Sequence, residues 1–251
     1  MEHLGEKIRK HMVKAIHDYS MLEDGDRVMV CTSGGKDSTI MLLLFQEIKK
    51  RARFAFDFDA VLLDQKQPGF NVDAYREFLG EQGIPLTVIT EDTYNIVQEK
   101  VEVGKSFCGL CSRLRRGILY NYAHAHGFTK LALGHHRDDL NETVLLNLFY
   151  SGRIASMPPK LFSDDGRNVV IRPLCYIAED WLQNYAVELE IPVIPCNLCG
   201  SQENLKRQKI KSLLANLEKE HPGIRSSLLT AQQNVRPSQM ADQSLFDFHR
   251  S

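Results

Sequence analysis

The chain has 251 residues, 43% of them hydrophobic, enough for one sizeable core, and no shift in composition marks a boundary inside it. Its formal net charge of -1 removes global basicity as a nucleic-acid signal, so an RNA-binding surface has to be a local concentration of Lys and Arg. The charged opening MEHLGEKIRKHMVKAIHDYS lacks an apolar signal core, and runs such as IMLLLF fall far short of the roughly 20 residues of a membrane span, so a soluble cytoplasmic protein with no membrane partner is expected.

Leu4, Ile8, Met12, Ala15, Ile16 and Tyr19 recur at helical spacing and predict an amphipathic helix within residues 1–22, leaning on the main domain. Strand and helix then alternate: RVMVC, STIMLLLFQEIKK, FDAVLLD, NVDAYREFLGEQG and the strand PLTVIT. The alternation resumes with helix SRLRRGILYNYAHAHG, strand KLALG, helix DLNETVLLNLFYSG, strand VVIRPL, helix EDWLQNYAVELE and strand PVIP. Only YSGRIASMPPKLFSDDGRN breaks this rhythm, as a long polar connection. From ENLKRQKIKSLLANLEKEHPG onward the tail is predicted helical, ending in SLFDF, whose apolar side chains are expected to tuck onto a neighbour. About six short strands separated by helices predict a doubly wound, mostly parallel α/β sheet, with ligands at the carboxyl ends of the strands. The expected organisation is one domain: the N-terminal helix in 1–22, an α/β core in 23–200 and a helical extension in 201–251.

SGGKDS, residues Ser33, Gly34, Gly35, Lys36, Asp37 and Ser38, follows a predicted strand and opens a predicted helix. Backbone amides of Gly34, Gly35 and Lys36 can then face an anion, and the helix N-terminus adds partial positive charge. Lys36 can neutralise charge, Ser33 and Ser38 can donate hydroxyl hydrogens, and Ser38 or Asp37 can cap the helix. The common nucleoside triphosphate loop does not fit, because Val30 stands where its first glycine belongs and Asp37 follows Lys36. A second motif, GHHRDD from Gly134 to Asp139, follows strand KLAL and falls on the same sheet edge. Asp138 and Asp139 can cap a helix, hold Mg²⁺ through water or manage a proton, and His135 and His136 are equally suited to packing or function.

Four of six cysteines form two Cys-x-x-Cys pairs, Cys108 with Cys111 and Cys196 with Cys199. Spacing alone fits a four-thiolate zinc site, and a redox or persulfide pair is also compatible. Cys31 and Cys175 stand in apolar surroundings and read as inert buried thiols. Arg113, Arg115, Arg116, Lys206, Arg207, Lys209 and Lys211 lie close in sequence to the pairs, as solvated helix faces or as contacts for a phosphate backbone.

SGGKDS, CGLCSRLRRGILY, LGHHRDD, MPPKL, IRPL and IPCNLCGSQENL, in that order and across nearly the whole chain, resemble the tRNA 2-thiocytidine synthetase family of PP-loop ATP pyrophosphatases. The resemblance implies a Rossmann-like PP-loop fold binding ATP over Ser33 to Ser38, and a 4Fe-4S cluster on Cys108, Cys111 and Cys199, with Cys196 as a neighbour; the sequence itself does not choose between Cys196 and Cys199. It further implies tRNA as substrate, the C2 oxygen of cytidine 32 being adenylated and AMP displaced by sulfur from a cysteine desulfurase. On that reading Lys36 and Mg²⁺ stabilise phosphate charge, Asp138 positions metal or proton, and Arg115 meets the base or a phosphate. The amphipathic first helix and apolar tail suit a homodimer. The alternatives are another PP-loop tRNA-modifying enzyme (uridine thiolation or lysidine formation) with zinc on four cysteines, or a non-catalytic, metal-stabilised RNA-binding module.

Overall fold

Strand β1 (Asp26–Thr32) is buried at every position but Arg27, because both its faces are covered. Val28 and Val30 enter one hydrophobic cluster while Met29 and Cys31 enter another, and β2 (Phe56–Asp64) repeats the pattern with Ala60 and Leu62 against Val61 and Leu63. The computed structural model describes residues 3–100, 108–194 and 202–249, the side chains of 108–109 and 202–204 excepted. With β3 (Leu86–Thr90), β4 (Lys130–Leu133), β5 (Lys160–Phe162) and β6 (Val169–Ile171) they form one sheet in the order β3-β2-β1-β4-β6-β5. All pairings are parallel except β5 with β6. The strand order reverses between β1 and β4, which makes the carboxyl ends of those two strands the topological switch point.

Helices α1 (Leu4–Asp18), α2 (Lys36–Arg51), α3 (Asp73–Glu81) and α7 (Glu179–Glu188) supply Ile8, Met12, Leu42, Phe45, Tyr75, Leu79 and Leu182 to the larger cluster. The other face is covered by α5 (Cys108–Ala125) through Leu119 and Ala123. The C-terminal helices α8 (Gln202–Glu220) and α9 (Ile224–Gln232) anchor instead on α6 (Arg137–Tyr150), where Leu145, Ile210 and Leu214 make a third, small cluster. Among the described residues no helix is long and apolar enough to cross a membrane.

Three expectations change. The predicted strand PVIP is not one: residues 192–194 are irregular, Pro192 has no amide hydrogen to give a ladder, and Ile194 N donates to Gly34 O at 2.9 Å. The antiparallel partner is β5, inside the connection read as polar, and helix α4 (Thr93–Lys100) fills a stretch without a predicted element. Finally, Leu245, Phe246 and Phe248 do not tuck onto the described part of the chain. They stay exposed, because Asp242 and Asp247 close local turns on Ser244 and His249 and the two phenylalanine rings meet each other, 5.1 Å apart.

Candidate functional site

The SGGKDS loop leaves the carboxyl end of β1 and becomes the first turn of α2, with Gly35 as its N-cap. The amides of that first turn have no acceptor inside the helix, so they and the helix dipole present positive potential at the sheet edge. Gly34 is required by its backbone: it has φ +73, and a Cβ there would stand 2.5 Å from Ile194 Cδ1. Gly134 is required by contact, since its Cβ would meet the Ser38 backbone at 3.1 Å. The GHHRDD motif is thereby laid directly against the loop, as the register Cys31 to Leu133 between β1 and β4 dictates.

Ser33 is exposed at the rim of the loop and Ser38 is buried beneath it. The Ser38 hydroxyl donates to Gly35 O at 3.0 Å and accepts from Ser33 N at 3.2 Å, so it shapes the turn rather than standing open to an anion. Lys36 Nζ lies 2.9 Å from Asp37 Oδ1 and 3.0 Å from Oδ2, with both side chains partly exposed.

Beneath the loop lies a hydroxyl cluster that sequence reading misses. Tyr75 OH sits 2.5 Å from Thr32 Oγ1 and accepts from Thr39 Oγ1 at 3.0 Å, and Thr32 Oγ1 is 3.1 Å from Ser38 Oγ. Burial pushes the Tyr75 phenol above its ordinary range, which keeps the proton available for donation. Its only sequence signal is the Tyr75 and Leu79 spacing on α3, which reads as core.

Asp138 is almost wholly buried, and both of its oxygens are engaged. Oδ1 accepts from Arg225 Nη1 at 2.6 Å, and Oδ2 accepts from Glu179 N at 2.8 Å, at the start of α7. Burial opposes its charge, but Arg137, the Glu179 amide and Arg225 outweigh this and hold the carboxyl below its usual range. Asp138 therefore ties α6, α7 and α9 together. Asp139 Oδ2 accepts from His136 N at 3.1 Å and caps α6, while its Oδ1 lies 3.3 Å from Arg207, which also reaches Glu142 at 3.2 Å. Lys211 pairs with Glu179 at 2.7 Å. Two cations expected at an RNA face are thus partnered by acids of the core.

His135 is held neutral. Burial, and then the nearby Arg172 guanidinium, lower its pKa to about 4, and its Nδ1 accepts from Arg172 Nε at 3.2 Å, which places the ring hydrogen on Nε2. Arg172 also donates to Pro158 O at 2.5 Å, so one buried guanidinium joins IRPL, MPPKL and GHHRDD. Arg115 is exposed on α5, near enough for its charge to act on both Cys31 and His135. Cys31 and Cys175 are buried, and burial pushes each thiol to about 12, the inert state expected of them.

Helix α5 begins at Cys108, and Cys111, half-buried, donates to Gln65 Oε1 at 3.3 Å just beyond the carboxyl end of β2. Cys196 and Cys199 lie outside the described residues, which stop at Ile194 on the loop, two positions before Cys196. Among the described residues no group of three or more His, Cys, Asp and Glu side chains is arranged to hold a metal.

Residues 4–216 match the PP-loop domain family. A tRNA-cytidine(32) 2-sulfurtransferase of Bdellovibrio bacteriovorus is 57% identical over 245 residues, covering 98% of this chain and 94% of its own. One of the same name from Methylococcus capsulatus is 56% identical, covering 98% and 85%. Among solved structures, the U34-tRNA thiolase NcsA of Methanococcus maripaludis with its [4Fe-4S] cluster superposes with a TM-score of 0.74 at 24% identity, over 92% of this chain and 78% of that one, a likeness of fold.

Proposed function

The chain belongs to the tRNA-cytidine(32) 2-sulfurtransferases of the PP-loop family, and from that premise we propose that it adenylates the C2 oxygen of cytidine 32 in a tRNA anticodon loop and replaces it with sulfur. ATP lies with its phosphates against the first turn of α2. The C2 oxygen attacks the α-phosphorus and pyrophosphate leaves; hydrosulfide then attacks C2, gives up its proton, and the oxygen departs with AMP. Lys36 turns from Asp37 to the phosphates and stabilises the charge that develops on them, and the freed Asp37 carboxylate would be available to hold a Mg²⁺ ion, which would neutralise phosphate charge. Arg115, exposed on α5, meets the base or a phosphate, and Asp138 acts by holding α6 in place. The tRNA has to present an unstacked base, which an anticodon loop does.

Cys108 and Cys111 fit a cluster: they are three apart on the opening turn of α5, where the helix N-terminus favours thiolates. With Cys199 as third ligand, a 4Fe-4S cluster would supply a resting place for hydrosulfide, formed when a two-electron reductant such as a thiol pair releases sulfur from the persulfide of a cysteine desulfurase. The reading places the enzyme in the cytoplasm beside its tRNA, and makes the exposed Leu245, Phe246 and Phe248 a seat for a second copy in a homodimer.

What carries this reading is the meeting at one sheet edge of the PP-loop, the GHHRDD motif packed on it, Cys111, and the chain leading to Cys196. The test is purification without oxygen, metal and sulfide analysis, then incubation with tRNA, ATP and sulfide. About four irons and four sulfides per chain are expected, with ATP-dependent 2-thiocytidine that disappears in folded Lys36→Ala and Cys108→Ala variants. One zinc and no iron would overturn the cluster and leave PP-loop adenylation of another base. Retention of tRNA without AMP release would overturn the enzyme.

A further inference from the structure

We propose that Tyr75 is a positioning residue for the nucleotide loop: its buried hydroxyl fixes the shape in which the loop receives ATP. The inference rests on the ATP-binding reading of SGGKDS, but its grounds are a set of contacts outside that motif. Tyr75 is fully buried on α3, an element contributing nothing else to the loop, and its ring reaches beneath β1 and α2. Thr32, the last residue of β1, and Thr39, in the first turns of α2, both touch the Tyr75 oxygen, at 2.5 and 3.0 Å. They bracket the loop on either side.

One directed set of hydrogens satisfies these contacts. Tyr75 donates to Thr32, Thr32 donates to Ser38 at 3.1 Å, and Ser38 donates to Gly35 O at 3.0 Å. Thr39, 2.9 Å from the same carbonyl, is shared between it and Tyr75. The relay ends on the loop's own backbone: Gly35 O is oriented by two hydroxyls, and Gly34 N donates to Thr32 Oγ1 at 3.3 Å. Orienting that peptide aims the neighbouring amides, the groups an anion uses. Tyrosine suits the task because the ring spans the core and delivers one hydroxyl at its far end. Phenylalanine would fill the same space and leave the start of the relay without a donor.

The experiment compares the whole protein with Tyr75→Phe, Thr39→Val and Thr39→Ser, titrating each with ATP and Mg²⁺ and measuring the ATP KM for AMP release in the presence of tRNA. Tyr75→Phe should weaken ATP binding and raise the ATP KM about tenfold, the factor that one neutral hydrogen bond carries, with the tRNA KM and iron content unmoved. Thr39→Val should do the same, and Thr39→Ser, which restores the hydroxyl, should recover most of the loss. Wild-type ATP affinity in Tyr75→Phe overturns the proposal. If Tyr75→Phe does not fold, equal affinities in Thr39→Val and Thr39→Ser overturn it. A wild-type protein that binds ATP but leaves tRNA unmodified sinks the thiolation reading while the Tyr75 comparison stands; one that binds no ATP sinks both.

Discussion

Replacing Gly34 by alanine adds one methyl group and incurs two separable penalties. The first is conformational: at φ +73 a Cβ crowds the backbone, at about 1–2 kcal/mol. The second is steric. The new Cβ would lie 2.5, 2.7 and 2.9 Å from three atoms of Ile194, a side chain only 8% exposed, and overpacking of this kind costs about 1–3 kcal/mol. The sum is a loss of about 2–5 kcal/mol, read by urea unfolding followed through the fluorescence of Trp181. Gly25→Ala is the control, since Gly25 has φ +81 and nothing within 4 Å of its Cβ, so it should show the first penalty alone. In a double-variant cycle Gly34→Ala with Ile194→Ala should recover about 1–3 kcal/mol of coupling. If Gly34→Ala falls no further than Gly25→Ala and the cycle shows no coupling, the loop is not covered by Ile194 and the reasoning fails.

Asp138→Asn should lower unfolding stability by about 1.5–3 kcal/mol, by removing the charge partner of the half-buried Arg225, whether or not ATP is present; unchanged stability with lost catalysis would instead return Asp138 to the chemistry. The His135 pKa of about 4 lies below its ordinary 6.5, so the unfolded chain takes up a proton that the half-buried ring refuses. Its share of stability is present above pH 6.5 and lost as the pH falls toward 4, and His135→Gln should flatten that part of the profile; identical slopes in the two proteins would refute the assignment.

The central strands were legible because β1, β2 and β4 are short apolar runs between turn residues, and the two motifs were legible because phosphate chemistry leaves few choices of residue. Helix α4 was not, since its polar face dominates and only Thr93 and Val97 are buried. Strand β5 is three residues long, and its pairing is continued by a hydrogen bond from Arg172 N to Pro159 O, both invisible to periodicity. PVIP is apolar enough for a strand, but Val193 is exposed and Ile194 is buried where it meets Gly34, not in a ladder. Arg207 and Lys211 look like free cations in LKRQKIK because their partners Asp139, Glu142 and Glu179 stand far away in sequence. Tyr75 shows the same limit inside the core, where a helical face predicts burial and not what the hydroxyl touches.

The seam between Gly34 O and Ile194 N joins an early segment of the chain to a late one. During synthesis SGGKDS leaves the ribosome long before Ile194 does, and β4, which flanks β1, also comes late. Closing so long a loop adds little entropy beyond a shorter one, so the delay is a matter of order and not of expense. A nascent or truncated chain can carry every residue of the motif and still lack the cover over Gly34. Synthesis through Ile194 thus becomes a condition for a finished nucleotide loop, and the segment that completes it is the one leading to the second cysteine pair.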